Sequence, residues 1–130
     1  MKNIEVVAAV IYQDGKILAA QRGYGEFKGG WEFPGGKIEP GETQEQAIVR
    51  EIQEEMAATI EVVEKLGTVE YDYPNFYLTM HCFWTTVKDG KLCLLEHEGA
   101  QWVDKDTIYA VDWLPADVKL VERVAKKLKA

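Results

Sequence analysis

Positive charge is scarce in this chain: 15 lysines and arginines stand against 22 aspartates and glutamates, a formal net charge of −7. Broad binding to a polymeric nucleic acid needs clustered cations to neutralise phosphates and is excluded, which leaves only a local basic pocket open. Cysteine is equally sparse. Cys82 and Cys93 lie in strand-like stretches with neither metal-ligand spacing nor a disulfide framework, so inert thiols in a reducing compartment are expected. The two histidines, His81 and His97, lack the paired spacing of a zinc site and read as structural or rim residues. No apolar run approaches the roughly 20 residues of a membrane span. The N-terminal run breaks at Tyr12 and Gln13, and no secretory cleavage pattern follows it. A cytoplasmic protein off the membrane is expected. Internal repeats and linker-like composition are also missing. With 130 residues and 47% hydrophobic content, the expectation is a single domain over residues 1–130 with one core.

What the sequence does contain is an alternation of strands and helices. "IEVVAAVIY" (residues 4–12) is β-branched and nearly continuous in apolarity, which predicts a strand buried on both faces. Asp14-Gly15 supplies hairpin chemistry before "ILAAQR" (17–22). "GYGEFKGG" (23–30) predicts a glycine-rich loop whose Lys28 can face a ligand. Residues 60–73 and 76–87 flank Pro74-Asn75 and predict a long hairpin, followed by a short strand at 92–95 and a polar loop at 96–101. Helical character is predicted for 104–111 and for 115–129, the latter with Pro115 at its start and Val118, Val121, Val124 and Leu128 at helical spacing. The fold class is α/β, a sheet with helices against it.

One stretch carries an unusual load of carboxylates: "EFPGGKIEPGETQEQAIVREIQEEMAAT" (32–59). Thr43 with Gln46 forms a capping-box pattern, so a helix is predicted to start just after Thr43. At about 100° per residue, Ile48, Ile52 and Met56 form an apolar stripe, and Glu51, Glu54 and Glu55 share the adjacent arc. Like charges at Glu51 and Glu55, four residues apart, destabilise a helix by a few tenths of a kcal/mol, so helix stability does not explain them. A solvated charged face is the plain alternative. The preceding loop argues for more: its glycines permit close backbone approach, and it brings Glu42 back to the helix start. Clustered hard oxygens with open positions suit a Mg²⁺ ion that also holds phosphate oxygens.

These residues resemble the Nudix signature, which runs Gly, five residues, Glu, seven residues, then Arg-Glu-apolar-x-Glu-Glu-x-Gly-apolar. Gly36, Glu42, Arg50, Glu51, Ile52, Glu54 and Glu55 match in register, while Ala57 replaces the final glycine. A left-handed residue is common at that helix end, so Ala57 should cost about 1 kcal/mol or change the cap. Along most of the chain, from "IEVVAAVI" through "WEFPGG" to "LPAD", the similarity is to MutT-type nucleoside triphosphate pyrophosphohydrolases, a group that includes 8-oxo-dGTP diphosphatases and CTP pyrophosphohydrolases. The resemblance implies an α/β/α sandwich around a mixed sheet. It also implies cleavage of a nucleoside triphosphate to monophosphate and pyrophosphate, with a possible role in removing oxidised nucleotides for DNA repair. Mg²⁺, or Mn²⁺ in its place, would be held by Glu51, Glu54, Glu55 and the Gly36 carbonyl, with Arg50 and Glu42 orienting the acids. Glu98, ranked above Glu96, matches a further metal-ligating or water-activating position. The general base stays open among these glutamates.

The same resemblance places the nucleoside against Ile4, Val6, Phe33, Tyr73 and Leu78, with Arg22 as a nucleotide contact and Asp117 reading the base edge. As an ionised acceptor Asp117 would favour guanine, oxidised guanine or cytosine edges; its plainer role is a helix-start acid. Three readings follow: a triphosphate hydrolase for a purine oxidised at position 8 or for a cytosine nucleotide; a hydrolase of another nucleoside diphosphate derivative; and a nucleotide sensor without turnover. A monomer or a homodimer accommodates each.

Overall fold

The computed structural model describes residues 2–129. Its first strand, β1 (Lys2–Gln13), is wholly buried over residues 7–11. Asp14 and Gly15 follow in left-handed conformations (φ 51° and 82°) and reverse the chain into β2 (Lys16–Arg22), the backbone that an Asp-Gly hairpin turn requires. Then come two short strands, β3 (Trp31–Glu32) and β4 (Gly35–Lys37), and the acidic helix α1 (Gln44–Met56). The long hairpin β5 (Thr59–Tyr73) and β6 (Phe76–Asp89) turns at Pro74-Asn75, and β7 (His97–Val103), a 3₁₀ turn (Ile108–Ala110) and α2 (Pro115–Lys129) complete the order.

The strands lie in the order β3-β2-β1-β6-β5, with β4 added to β1 and β7 to β2. β1 and β6 run parallel, and the other strand pairs are antiparallel, so the sheet is mixed. Side chains alternate across a strand, and both faces of β1 are therefore apolar. Val7, Ala9 and Ile11 pack with Phe83 against Ala47, Ile48, Ile52 and Met56 of α1. Ala8 and Val10 pack with Ala19, Cys82 and Trp84 against Leu120, Val121 and Val124 of α2. The result is the α/β/α sandwich. No helix among the described residues is long and apolar enough to cross a membrane.

Five expectations are corrected. Residues 92–95 form no strand, and the stretch read as a polar loop is instead β7, an edge strand paired with β2; its Glu98, Gly99, Ala100 and Gln101 carry no strand propensity, and pairing alone makes it extended. Cys93 accordingly lies exposed outside any strand, whereas Cys82 is buried in β6. Residues 104–111 form one 3₁₀ turn rather than a helix, because Asp104 Oδ1 accepts from the Asp106 and Thr107 N–H groups and closes a local turn. Val118 is exposed: the buried stripe of α2 is Ala116, Leu120, Val121, Val124 and Ala125.

Candidate active site

The helix of acids starts as the capping pattern requires. Thr43 Oγ1 accepts from the Gln46 N–H (3.1 Å), and the Thr43 N–H donates to Gln46 Oε1 (2.9 Å). It ends on Ala57 in the left-handed conformation (φ 56°), so the residue replacing the signature glycine adopts the glycine's backbone at a cost of about 1 kcal/mol. Packing of Ile48, Ile52 and Met56 onto the sheet then decides where each acid points. Glu54 faces solvent with its side chain 55% exposed, Glu51 is half-buried, and Glu55 is buried.

Arg50 organises this face. Its Nε and Nη2 donate to the two oxygens of Glu42 (2.7 and 2.9 Å), Nη1 donates to Glu51 and Glu54 (3.0 and 2.9 Å), and Nη2 also reaches the Lys37 carbonyl (2.9 Å). The fork-shaped pairing with Glu42 holds that carboxyl below its ordinary range. Gly36 lies under the helix: a Cβ there would stand 2.4 Å from the Glu51 carboxylate, so only glycine lets the β4 backbone approach this acid. Burial pushes Glu51 up despite Arg50. Burial, reinforced by Glu51, Glu32 and Glu96, pushes Glu55 up to about 9.

Two cavities meet beside this helix. An acidic one of about 180 Å³ is lined by Tyr24, Glu32, Glu55, Glu96 and His97. Glu55 Oε2 and His97 Nδ1 lie buried in this region without hydrogen-bond partners. The second cavity, of about 110 Å³, is walled by Phe27, Phe33, Tyr73, Phe76 and Leu78, with Arg22 and Asp117 on its lining. Phe33 stacks on Trp113 (4.4 Å) and Tyr73 on Phe76 (4.9 Å). Arg22 Nη2 donates to Glu32 Oε1 (2.5 Å).

The structure thus brings together Val6, Arg22, Phe33, Tyr73, Leu78 and Asp117, as expected, but not Ile4, which is absent from the lining. Lys28 is exposed and lines neither cavity. Glu98 stands on the β-bulge where β7 shifts register against Gln21 and Arg22 and is exposed; Glu96 lines the acidic cavity in its place. Asp117 is buried: its Oδ1 accepts from the Phe33 N–H (3.0 Å), and burial pushes its carboxyl up to about 8 against that bond. His81 is structural, partnered by Glu5 (2.7 Å) and Thr68 (3.0 Å) outside both cavities. His97, read as structural or at the rim, is buried 3.1 Å from Glu32 and 3.8 Å from Glu55. Sequence reading missed His97, Glu32 and Phe27 as lining residues; the one signal was a histidine set between Glu96 and Glu98.

Several features fit a divalent metal: hard oxygen donors on one face, a glycine cradle beside Glu51, and the partnerless Glu55 Oε2. Among the described residues no group of three acidic, histidine or cysteine side chains is placed to hold a metal ion as it stands, and Arg50 Nη1 bridges Glu51 and Glu54.

Residues 2–124 match the NUDIX domain. Over 123 residues the chain is 39% identical to the CTP pyrophosphohydrolase of Escherichia coli (strain K12), covering 94% of this chain and 91% of that protein. It is 33% identical over 132 residues to the 8-oxo-dGTP diphosphatase of the same strain, covering 99% and 98%. The solution structure of the E. coli ORF135 protein has a TM-score of 0.83 at 39% identity, covering 100% of this chain and 93% of that one. The crystal structure of the MutT protein from Methanosarcina mazei Go1 has a TM-score of 0.84 at 27% identity, covering 99% and 97%. With a family model matched over residues 2–124 and relatives of 33–39% identity that cover more than nine tenths of the chain, the chain belongs to the Nudix family and is a Nudix hydrolase.

Proposed function

We propose that this hydrolase cleaves nucleoside triphosphates to the monophosphate and pyrophosphate, with Mg²⁺ or Mn²⁺, and takes a cytosine nucleotide or a purine oxidised at position 8. One observation carries the reading: the aromatic and the acidic cavities share Arg22, Glu32 and Gly35. A ligand with a flat apolar end and a polyanionic end matches that juxtaposition. Glu51, Glu54, Glu55 and the Gly36 carbonyl would hold the metal. Bound there, a divalent cation neutralises phosphate oxygens and lowers the pKa of the attacking water. Arg50 and Glu42 keep the acids oriented, and a carboxylate of this face takes the water's proton. For the further metal-ligating or water-activating position the choice is between Glu96 and Glu98, the two neighbours of His97, and replacing each with glutamine in parallel decides it.

Burial raises the Asp117 carboxyl to about 8, and in its protonated form this residue supports the choice of base. A neutral carboxyl offers one donor beside one acceptor, which complements the N3 and amino group of cytosine, or O6 and N7–H of 8-oxoguanine. Ordinary guanine presents two acceptors on that second edge and is disfavoured there. The names of the two E. coli relatives agree with both alternatives.

The test is a panel of dCTP, 8-oxo-dGTP, dGTP, dATP and a nucleoside diphosphate sugar, with Mg²⁺ or EDTA, resolving pyrophosphate from orthophosphate. Pyrophosphate from dCTP or 8-oxo-dGTP at ten times the efficiency seen with dGTP is expected, about 1.4 kcal/mol of discrimination. Preference for the sugar conjugate overturns the proposal.

A further inference from the structure

A continuous chain of polar groups runs between the two cavities. Arg22 donates to Glu32 Oε1, Glu32 Oε2 stands 3.1 Å from His97 Nε2, and the same nitrogen stands 3.8 Å from Glu55 Oε1. The middle of the chain is shut away from water, with the His97 side chain 3% exposed, Glu55 9% and Glu32 13%. The hydrogen on His97 is assigned to Nε2, because Glu32 Oε2, 3.1 Å away, belongs to a carboxylate that can only accept. β7 fixes the ring's position, because His97 pairs with Arg22 across the sheet at the bulge.

We propose that His97 is a positioning residue for Glu55. The imidazole edge at Nε2 lies against both acids, within hydrogen-bond distance of Glu32 Oε2 (3.1 Å) and 3.8 Å from Glu55 Oε1, and so fixes where the Glu55 carboxyl stands, with Oε2, which has no partner, as its free edge. Without the ring edge, Glu32 and Glu55 face each other in a buried site with nothing between them, and Glu55 turns away. The inference rests on the acidic face being a divalent-metal site. It adds a residue outside the signature helix that holds one of the proposed ligands in place.

Geometry supplies the test. A glutamine amide nitrogen reaches the position of Nε2, an asparagine amide ends near Nδ1, and leucine offers no donor. Mn²⁺ binding to the full chain without nucleotide, read from the EPR signal of free Mn²⁺, is compared for parent, His97→Gln, His97→Asn and His97→Leu. The glutamine variant should stay within about threefold of the parent, while asparagine and leucine weaken Mn²⁺ by about tenfold or more. At saturating Mn²⁺ the KM for the triphosphate should hold while kcat falls, because the aromatic cavity is untouched. Melting in EDTA establishes that each variant is folded; if leucine is not, the glutamine and asparagine pair carries the comparison. Equal Mn²⁺ affinity in all four proteins overturns the inference and leaves the metal site standing, as does glutamine failing as badly as leucine. A parent that binds no Mn²⁺ overturns both.

Discussion

Alanine at two neighbouring glycines should produce opposite failures. At Gly36 the atoms nearest the added Cβ would be those of the Glu51 carboxylate, at 2.4 Å for Cδ and Oε2 and 2.7 Å for Oε1. A side-chain end can retreat by the roughly 1 Å needed to restore ordinary contact, and doing so breaks the 3.0 Å bond to Arg50 Nη1. A partly exposed charge-assisted bond is worth about 1 to 2 kcal/mol at most, offset in part by about 0.5 kcal/mol from stiffening the unfolded chain. Gly36→Ala should therefore melt no more than about 5 °C below the parent. Displacing Glu51 by about 1 Å should cost about a hundredfold in turnover. At Gly35 the same Cβ would stand 1.9 Å from the Val7 carbonyl oxygen and 2.9 Å from Ala8 Cα. Those are backbone atoms of the central strand, so β4 must lift from β1, at a cost of about 3 kcal/mol or more. Pyrophosphate release at saturating Mg²⁺ and melting in EDTA distinguish the two. Gly36→Ala retaining turnover within threefold would refute the placement of Glu51 in the metal site, and Gly35→Ala melting normally would refute the close contact with β1.

Glu54→Gln loses one exposed pair with Arg50, worth up to about 0.5 kcal/mol, and should melt within about 2 °C of the parent while Mg²⁺-dependent turnover falls at least about a hundredfold; near-parental activity removes Glu54 from the set. Ala57→Gly relieves a left-handed alanine and should gain up to about 1 kcal/mol with turnover within a few-fold, and a melting temperature that drops would contradict the φ of 56°. Asp117 gives a pH dependence: its carboxyl is raised to about 8 in the fold from an ordinary 3.8, so between those values the folded chain holds a proton that the unfolded chain has lost. Its stabilising share is present at acid pH and declines as pH rises towards 8, by up to about 1.4 kcal/mol per pH unit. In EDTA, where Glu55 titrates in the same direction in both proteins, Asp117→Asn should show a shallower loss of stability from pH 6 to 8 than the parent; equal slopes would mean that Asp117 is ionised in the fold.

Local order was legible because its causes are local. Thr43 and Gln46 cap α1 through bonds three residues apart, Asp14-Gly15 turns on its own backbone angles, and the spacing of Glu51, Glu54 and Glu55 puts them on adjacent arcs in any α-helix. The signature residues could thus be assigned before the fold was known. What a residue does once the elements meet is another matter. Glu55 is buried and Glu54 is exposed because α1 lies on the sheet with Glu55 beside β7, and β7 is extended only because β2 pairs with it. The bulge at Gln21 and Arg22 turns His97 inward between two acids and leaves Glu98 outside. Burial in a dry wall raises the Asp117 carboxyl, against the lowering effect of the hydrogen bond from the Phe33 N–H, a partner 84 residues away in the chain. Helix period and turn chemistry are properties of neighbouring residues, so the sequence alone determined which acids share a helix face. Strand register, burial and the charge state of a buried group depend on contacts between distant segments, and only the tertiary structure decided those.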